Sequence, residues 1–266
     1  MPPRPSVTRL QRAVRQALTA AAEPARAPAM QAYMKSEMPY LGVPAVPLQA
    51  ACRAVFSNYP FASAESWRAD VLGLWRGAKY REERYAAIAL SGHRKAKDFQ
   101  TLDSLPMYAE LIVSGAWWDY VDVLAAHRIG PLLAAYPSQM RRTMLAWSRS
   151  RDLWKRRTAI LCQLGFKTST DYELLFSCIE PSLASKQFFL RKAIGWALRQ
   201  FARNDPNAVR KYVRDHASEL SSLSRREALK HLSALDLKRQ PSDRAPRSAR
   251  SFTVRRSIRK RRPVST

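Results

Sequence analysis

The feature that most constrains this chain is a helical pattern that returns about every 35 residues. An alanine flanked by arginine and an aliphatic residue recurs in Arg157-Thr-Ala-Ile-Leu161, Arg191-Lys-Ala-Ile194 and Arg225-Arg-Glu-Ala-Leu229. The markers Ala159, Ala193 and Ala228 are 34 and 35 residues apart, and stepping back reaches Asp122 (37 before Ala159) and Ala87 (35 before Asp122). Two helices per step of roughly 35 to 40 residues is the spacing of HEAT- or TPR-type repeats, in which each unit buries its apolar face only against its neighbours. The expected fold is all-α, a right-handed α-solenoid of HEAT-like repeats forming a concave basic groove. A small alanine lets helices approach, and an adjacent arginine on successive repeats would line the groove with charge.

Apolar residues at helical spacing predict helices over 7–22, from Ser63 onward, and over 80–93, 103–113, 117–126, 138–149, 152–164, 170–179, 187–203, 207–216 and 224–235. In the second of these, Trp67, Val71, Leu74 and Trp75 form a buried stripe. Ser224 followed by Glu227 reads as a capping box, in which the serine satisfies free N–H groups at a helix start. No alternating run argues for a strand, and eight glycines are few for a hairpin-rich fold.

The 46 Lys and Arg against 21 Asp and Glu leave a net charge of +25. Such a balance costs self-repulsion that a polyanion relieves. Residues 238–266 hold +10 and residues 1–28 hold +4, leaving +11 for residues 29–237. The repeats are therefore basic in their own right. Three domains are expected: a Pro/Ala/Arg segment with a first helix (1–28), a repeat domain (29–237), and a basic tail (238–266) whose composition cannot bury a core.

Cys52, Cys162 and Cys178 are odd in number and far apart, which suggests reduced thiols. His93, His127, His216 and His231 show no metal-ligand spacing. The chain has no apolar run of membrane-spanning length, and its start lacks a signal-peptide core. Expected, then, are no metal, no cofactor, no membrane, and a cytoplasmic location that is nucleoid-associated in a bacterium or nuclear in a eukaryote.

Glycine-rich phosphate loops, nucleophile elbows and HExxH motifs are missing from the sequence. What stands out is Trp117-Trp-Asp-Tyr-Val-Asp122, where Trp118 and Asp122 lie one helical turn apart and share a face. Trp196 follows Gly195 inside another helical stretch, where glycine costs about 1 kcal/mol relative to alanine. A glycine there permits close approach of a neighbour or a ligand.

From about Met30 to Leu232 the chain resembles the AlkD-type DNA glycosylases, the HEAT-like-repeat enzymes of alkylation repair. The resemblance is carried by Tyr33-Met-Lys35 with Leu41-Gly42, Glu110-Leu-Ile-Val113, Trp117-Trp-Asp119 with Val121-Asp122, and Arg157-Thr-Ala-Ile-Leu161 with Gln163-Leu164. Ser185-Lys186, Phe188-Phe189 and Arg191-Lys-Ala-Ile-Gly-Trp-Ala-Leu-Arg199 continue it, and Ser224, Arg226-Glu-Ala228 and Lys230-His231 complete it.

The resemblance implies hydrolysis of the N-glycosidic bond of cationic N3- and N7-alkylated purines in duplex DNA, and since a solenoid groove for DNA works as a monomer, a monomer is expected. It makes Asp122 the catalytic carboxylate and Trp118 and Trp196 the aromatic walls around the sugar. Arg157 would clamp a backbone phosphate, and Tyr33, Phe188, Arg199 and Lys192 would line the cleft or contact DNA. No lysine is placed for a Schiff base, so a monofunctional glycosylase is expected. The chain departs from the family at Val43-Pro44, where other members carry a glutamine after Leu-Gly. A non-catalytic DNA binder on the same scaffold is the alternative; a basic repeat domain disfavours a protein-binding solenoid.

Overall fold

The computed structural model describes residues 8–232, so the tail 238–266 and the expected boundary at 237 lie outside the described residues. Among the described residues there is no strand. The helices are α1 (Arg9–Ala20), α2 (Ala27–Met34), α3 (Ala45–Ser57), α4 (Ala64–Arg76), α5 (Arg81–Ser91), α6 (Leu105–Gly115), α7 (Trp118–Leu124), α8 (Gly130–Ala135), α9 (Pro137–Ser148), α10 (Leu153–Leu161), α11 (Tyr172–Ile179), α12 (Phe188–Phe201), α13 (Pro206–Asp215) and α14 (Ser222–Leu229).

The five repeat markers fall on α5, α7, α10, α12 and α14, and each of these helices packs on the next. Partner helices lie beside them: α4 on α5, α6 on α7, α9 on α10 and α13 on α12. This is an α-solenoid, and the period in the sequence is the step between successive helices of one row. The alanine markers Ala87, Ala159, Ala193 and Ala228 are all buried, as the close contact of their helices requires.

Charge as well as packing stitches the row together. Arg81 of α5 pairs with Asp119 of α7, Asp122 of α7 pairs with Arg157 of α10, and Lys192 and Arg199 of α12 pair with Glu227 of α14. Between α10 and α12 the link is a hydrogen bond donated by Arg157 Nη1 to the Phe189 carbonyl.

Thr8 caps α1 through a full capping box with Gln11, and Val14 and Leu18 enter the main core. The sequence pattern leaves α2 and α3 unforeseen, because the stretch from Pro24 to Pro47 is proline-rich. Pro28, Pro44 and Pro47 fall at or near helix starts, where the missing N–H has no intrahelical partner to lose. The start of α14 also differs from expectation. Ser221 caps the helix by accepting from the Ser224 N–H, while the buried Ser224 hydroxyl donates to the Arg191 carbonyl on α12. Glu227 is therefore free for its ion pairs instead of a reciprocal cap.

Three consecutive buried charges at the start of α5 organise the other end of the row. Arg81 reaches α7, and Glu83 binds Arg15 of α1. Glu82, wholly buried, accepts hydrogen bonds from the N–H groups of Leu41, Gly42 and Val43 at 2.9–3.1 Å. Gly42 has φ +84°, and a Cβ there would lie 2.2 Å from the Glu23 carbonyl oxygen, so this loop requires glycine.

Candidate active site

The site is built around α7. Ala116 adopts a left-handed conformation (φ 44°) that ends α6, and Trp117 in extended backbone starts α7 immediately after it. The turn brings two carboxylates, Asp119 and Asp122, onto one short helix. Each is answered by an arginine from a different neighbour.

Asp122 sits in a bidentate ion pair with Arg157, Nε to Oδ1 at 2.7 Å and Nη2 to Oδ2 at 2.8 Å. Arg157 is 4% exposed, and its Nη1 donates to the Phe189 carbonyl. Fork-to-fork pairing of this kind fixes orientation as well as charge. Burial pushes the Asp122 carboxyl above its ordinary value, Arg157 opposes that shift, and the nearby charge of Asp119 adds to it.

On the other side, Arg81 Nη2 donates to Asp119 Oδ1 at 2.6 Å and the Tyr85 hydroxyl donates to Oδ2 at 2.6 Å. The Tyr40 hydroxyl extends the chain to Tyr85 at 3.1 Å. The Arg81 guanidinium also lies over the Tyr120 ring, 4.2 Å from its centroid. Burial and Asp119 push the Tyr85 phenol far up, which keeps it a donor. The structure thus gives Asp119 a role beyond capping α7 or facing solvent: it anchors the helix.

A cleft of about 300 Å³ opens beside this helix, lined by Asp122, Val123, Ala126, His127, Leu164, Gly165, Trp196 and Gln200. Asp122 of α7 and Trp196 of α12 therefore meet at one opening, although 74 residues separate them in sequence. Trp118, one turn before Asp122, is half-buried against the main core. Immediately after α7 the chain makes a π turn, Ala125–Ile129, before continuing as α8. Such turns recur at functional sites because they displace side chains from regular helical positions.

Gly195, next to Trp196, serves a neighbouring helix. A Cβ there would lie 2.5 Å from Glu227 Cβ and 3.0 Å from the Ser224 carbonyl oxygen. Its absence lets α14 close onto α12, and Glu227 then pairs with Lys192 at 3.3 Å and with Arg199. Burial alone would raise the Glu227 carboxyl, but these two cations and Lys230 hold it below its ordinary value. Lys192 and Arg199 thus carry an acidic partner between them.

Tyr33 and Phe188 are 76% and 58% exposed, unusual for rings of this size. Phe188 stands edge-on to Phe189, which packs against both Trp117 and Trp154 with centroids 5.3 and 5.2 Å away. The sequence gives no separate hint of Trp154, His127 or Gln200. The Arg157–Asp122 pairing was findable, because 35 residues is one repeat.

Among the described residues no group of three His, Cys, Asp or Glu comes together to hold a metal ion. The three cysteines are buried and unpaired, and burial pushes the Cys52 and Cys178 thiols up to about 12, far from a reactive thiolate.

These features define a class: a helical-repeat protein with one pinned carboxylate on a cleft that Trp196 lines and Trp118 does not. The model of the family described as DNA alkylation repair enzyme matches residues 14–232, and the chain belongs to that family. Its role is in the repair of alkylation damage, with DNA as the substrate the family implies. The chain is also similar to a solved structure described as a predicted DNA alkylation repair enzyme from Enterococcus faecalis. The two are 28% identical with a TM-score of 0.73, over 80% of this chain and 97% of that one. No curated protein matches. No helix among the described residues is long and apolar enough to cross a membrane.

Proposed function

We propose that the protein is a monofunctional glycosylase that hydrolyses the N-glycosidic bond of N3- and N7-alkylated purines, such as 3-methyladenine and 7-methylguanine, in duplex DNA. The observation that carries this reading is Asp122, held by Arg157 at the mouth of a cleft it shares with Trp196.

An alkylated purine bears positive charge before it leaves. Its departure takes the bonding electron pair and yields a neutral base, so no general acid is needed. Positive charge then builds on the deoxyribose. The Asp122 carboxylate stabilises it, and the indole faces of Trp196 and Trp118 add an electron-rich, water-poor surround. Water adds at the anomeric carbon and its proton passes to solvent, leaving an abasic site. A neutral lesion such as uracil would require leaving-group protonation, so weak activity is expected there.

Arg157, buried and occupied, holds Asp122 in register in preference to clamping phosphate. The exposed Tyr33 and Phe188 would pack against the nucleic acid, and Lys192 and Arg199 would offer it their charge across Glu227. The basic segment 238–266 would add non-specific affinity.

The test is release of 7-methylguanine from methylated duplex DNA by wild type and by Asp122→Asn. Release by wild type, lost in the variant while DNA binding persists, supports the reading. Wild type that binds DNA and releases no base would make the protein a non-catalytic binder.

A further inference from the structure

We infer that His127 is a second DNA-contacting group of this cleft, one that grips a phosphate flanking the damaged nucleotide. The inference rests on the DNA-binding part of the reading above and adds to it a named residue and ligand group.

His127 is exposed and lines the same cleft as Asp122, Trp196 and Gln200. It follows Asp122 by five residues, through the π turn. Both side chains face one opening from the same short stretch of chain, so a sugar placed at Asp122 carries its flanking phosphates past His127.

The turn is also fixed in advance. Arg128 Nη1 donates to the His127 carbonyl at 2.8 Å, while its Nε and Nη2 donate to Ser91 Oγ and the Ile88 carbonyl at the end of α5. With the backbone already anchored, binding has only the side chain itself left to order. The charged group that shares the cleft with it is Asp122 from α7, while the Arg128 guanidinium of its own turn is directed to α5. From α12 the cleft receives the neutral Trp196 and Gln200. A neutral imidazole can donate one hydrogen bond to phosphate; protonated, it also adds a full charge.

The experiment measures binding of a duplex carrying a tetrahydrofuran abasic analogue, across a salt series at pH 7.5 and 5.5. The proteins are wild type, His127→Gln and the control His216→Gln, whose imidazole bonds to Glu219 beyond α13. Each phosphate neutralised contributes a slope of about −0.9 in log K against log salt. At pH 5.5 the wild-type and His216→Gln slopes should be steeper than the His127→Gln slope by up to about 0.9. That excess should vanish when one of the two phosphates flanking the analogue is replaced by neutral methylphosphonate. Equal slopes in wild type and His127→Gln overturn the inference, as does an excess that survives both methylphosphonate duplexes. Because no base is released in this assay, its outcome is separate from that of the glycosylase test.

Discussion

Arg157 and Asp122, one repeat apart, close a two-pronged ion pair in which both carboxylate oxygens accept from one guanidinium. Lysine cannot reproduce that fork, so Arg157→Lys should keep the charge and lose the orientation. The expected result is a fall in single-turnover base release of about 10²-fold, approaching the 10²–10³-fold loss expected for Asp122→Asn. DNA affinity should change less than tenfold in both, as read by fluorescence anisotropy.

Burial sets the pH at which the carboxylate is lost. In the proposed mechanism the active form is ionised, and the Asp122 carboxyl lies above its ordinary value. Activity should therefore decline on the acid side at a higher pH than a free aspartate would dictate. Arg157→Met removes the opposing effect of the guanidinium, so the acid limb of the single-turnover rate should move higher still. An unmoved limb in that variant would mean that another group controls it.

Close approach of α12 and α14 depends on a missing methyl group. Gly195→Ala places a Cβ 2.5 Å from that of Glu227 and near the Ser224 carbonyl, an overpacking that costs about 1–3 kcal/mol. The denaturant midpoint should fall accordingly. In an ordinary exposed helix the same change would stabilise.

Arg81 of α5 braces α7 through Asp119, as Arg157 of α10 does through Asp122. Removing one partner of a buried pair costs about 3–5 kcal/mol, because the other is left uncompensated. Arg81→Met should be strongly destabilising in chemical denaturation, and Arg81→Met with Asp119→Leu should recover much of the loss. Asp119 also pushes the Asp122 carboxyl up, so the double variant should shift the acid limb of activity to lower pH.

Much of this architecture was legible in the sequence, and the reasons are specific. The 35-residue step and the stripe Trp67, Val71, Leu74, Trp75 follow from helical periodicity alone, and all four residues are buried. The meeting of Asp122 with Trp196 followed only from a resemblance, since nothing local links residues so far apart. Helices α2 and α3 were hidden by prolines that sit at helix starts. His127 was hidden because a π turn moves it off the face that α-helical spacing assigns. The partners of Asp119 were hidden because a carboxylate in a first helical turn has an ordinary explanation already.

The hydrogen bonds that Glu82 accepts from three N–H groups fix the shape of the loop at 41–43. Glu82 grips backbone N–H groups at 41, 42 and 43 and uses none at 44, which begins α3 without needing a donor. A library randomised over these four positions should return glycine alone at 42, apolar residues other than proline at 41 and 43, which pack on the main core, and free variation at 44. The template for that loop is written about 40 residues downstream, so drift along the loop itself is screened by a single distant side chain.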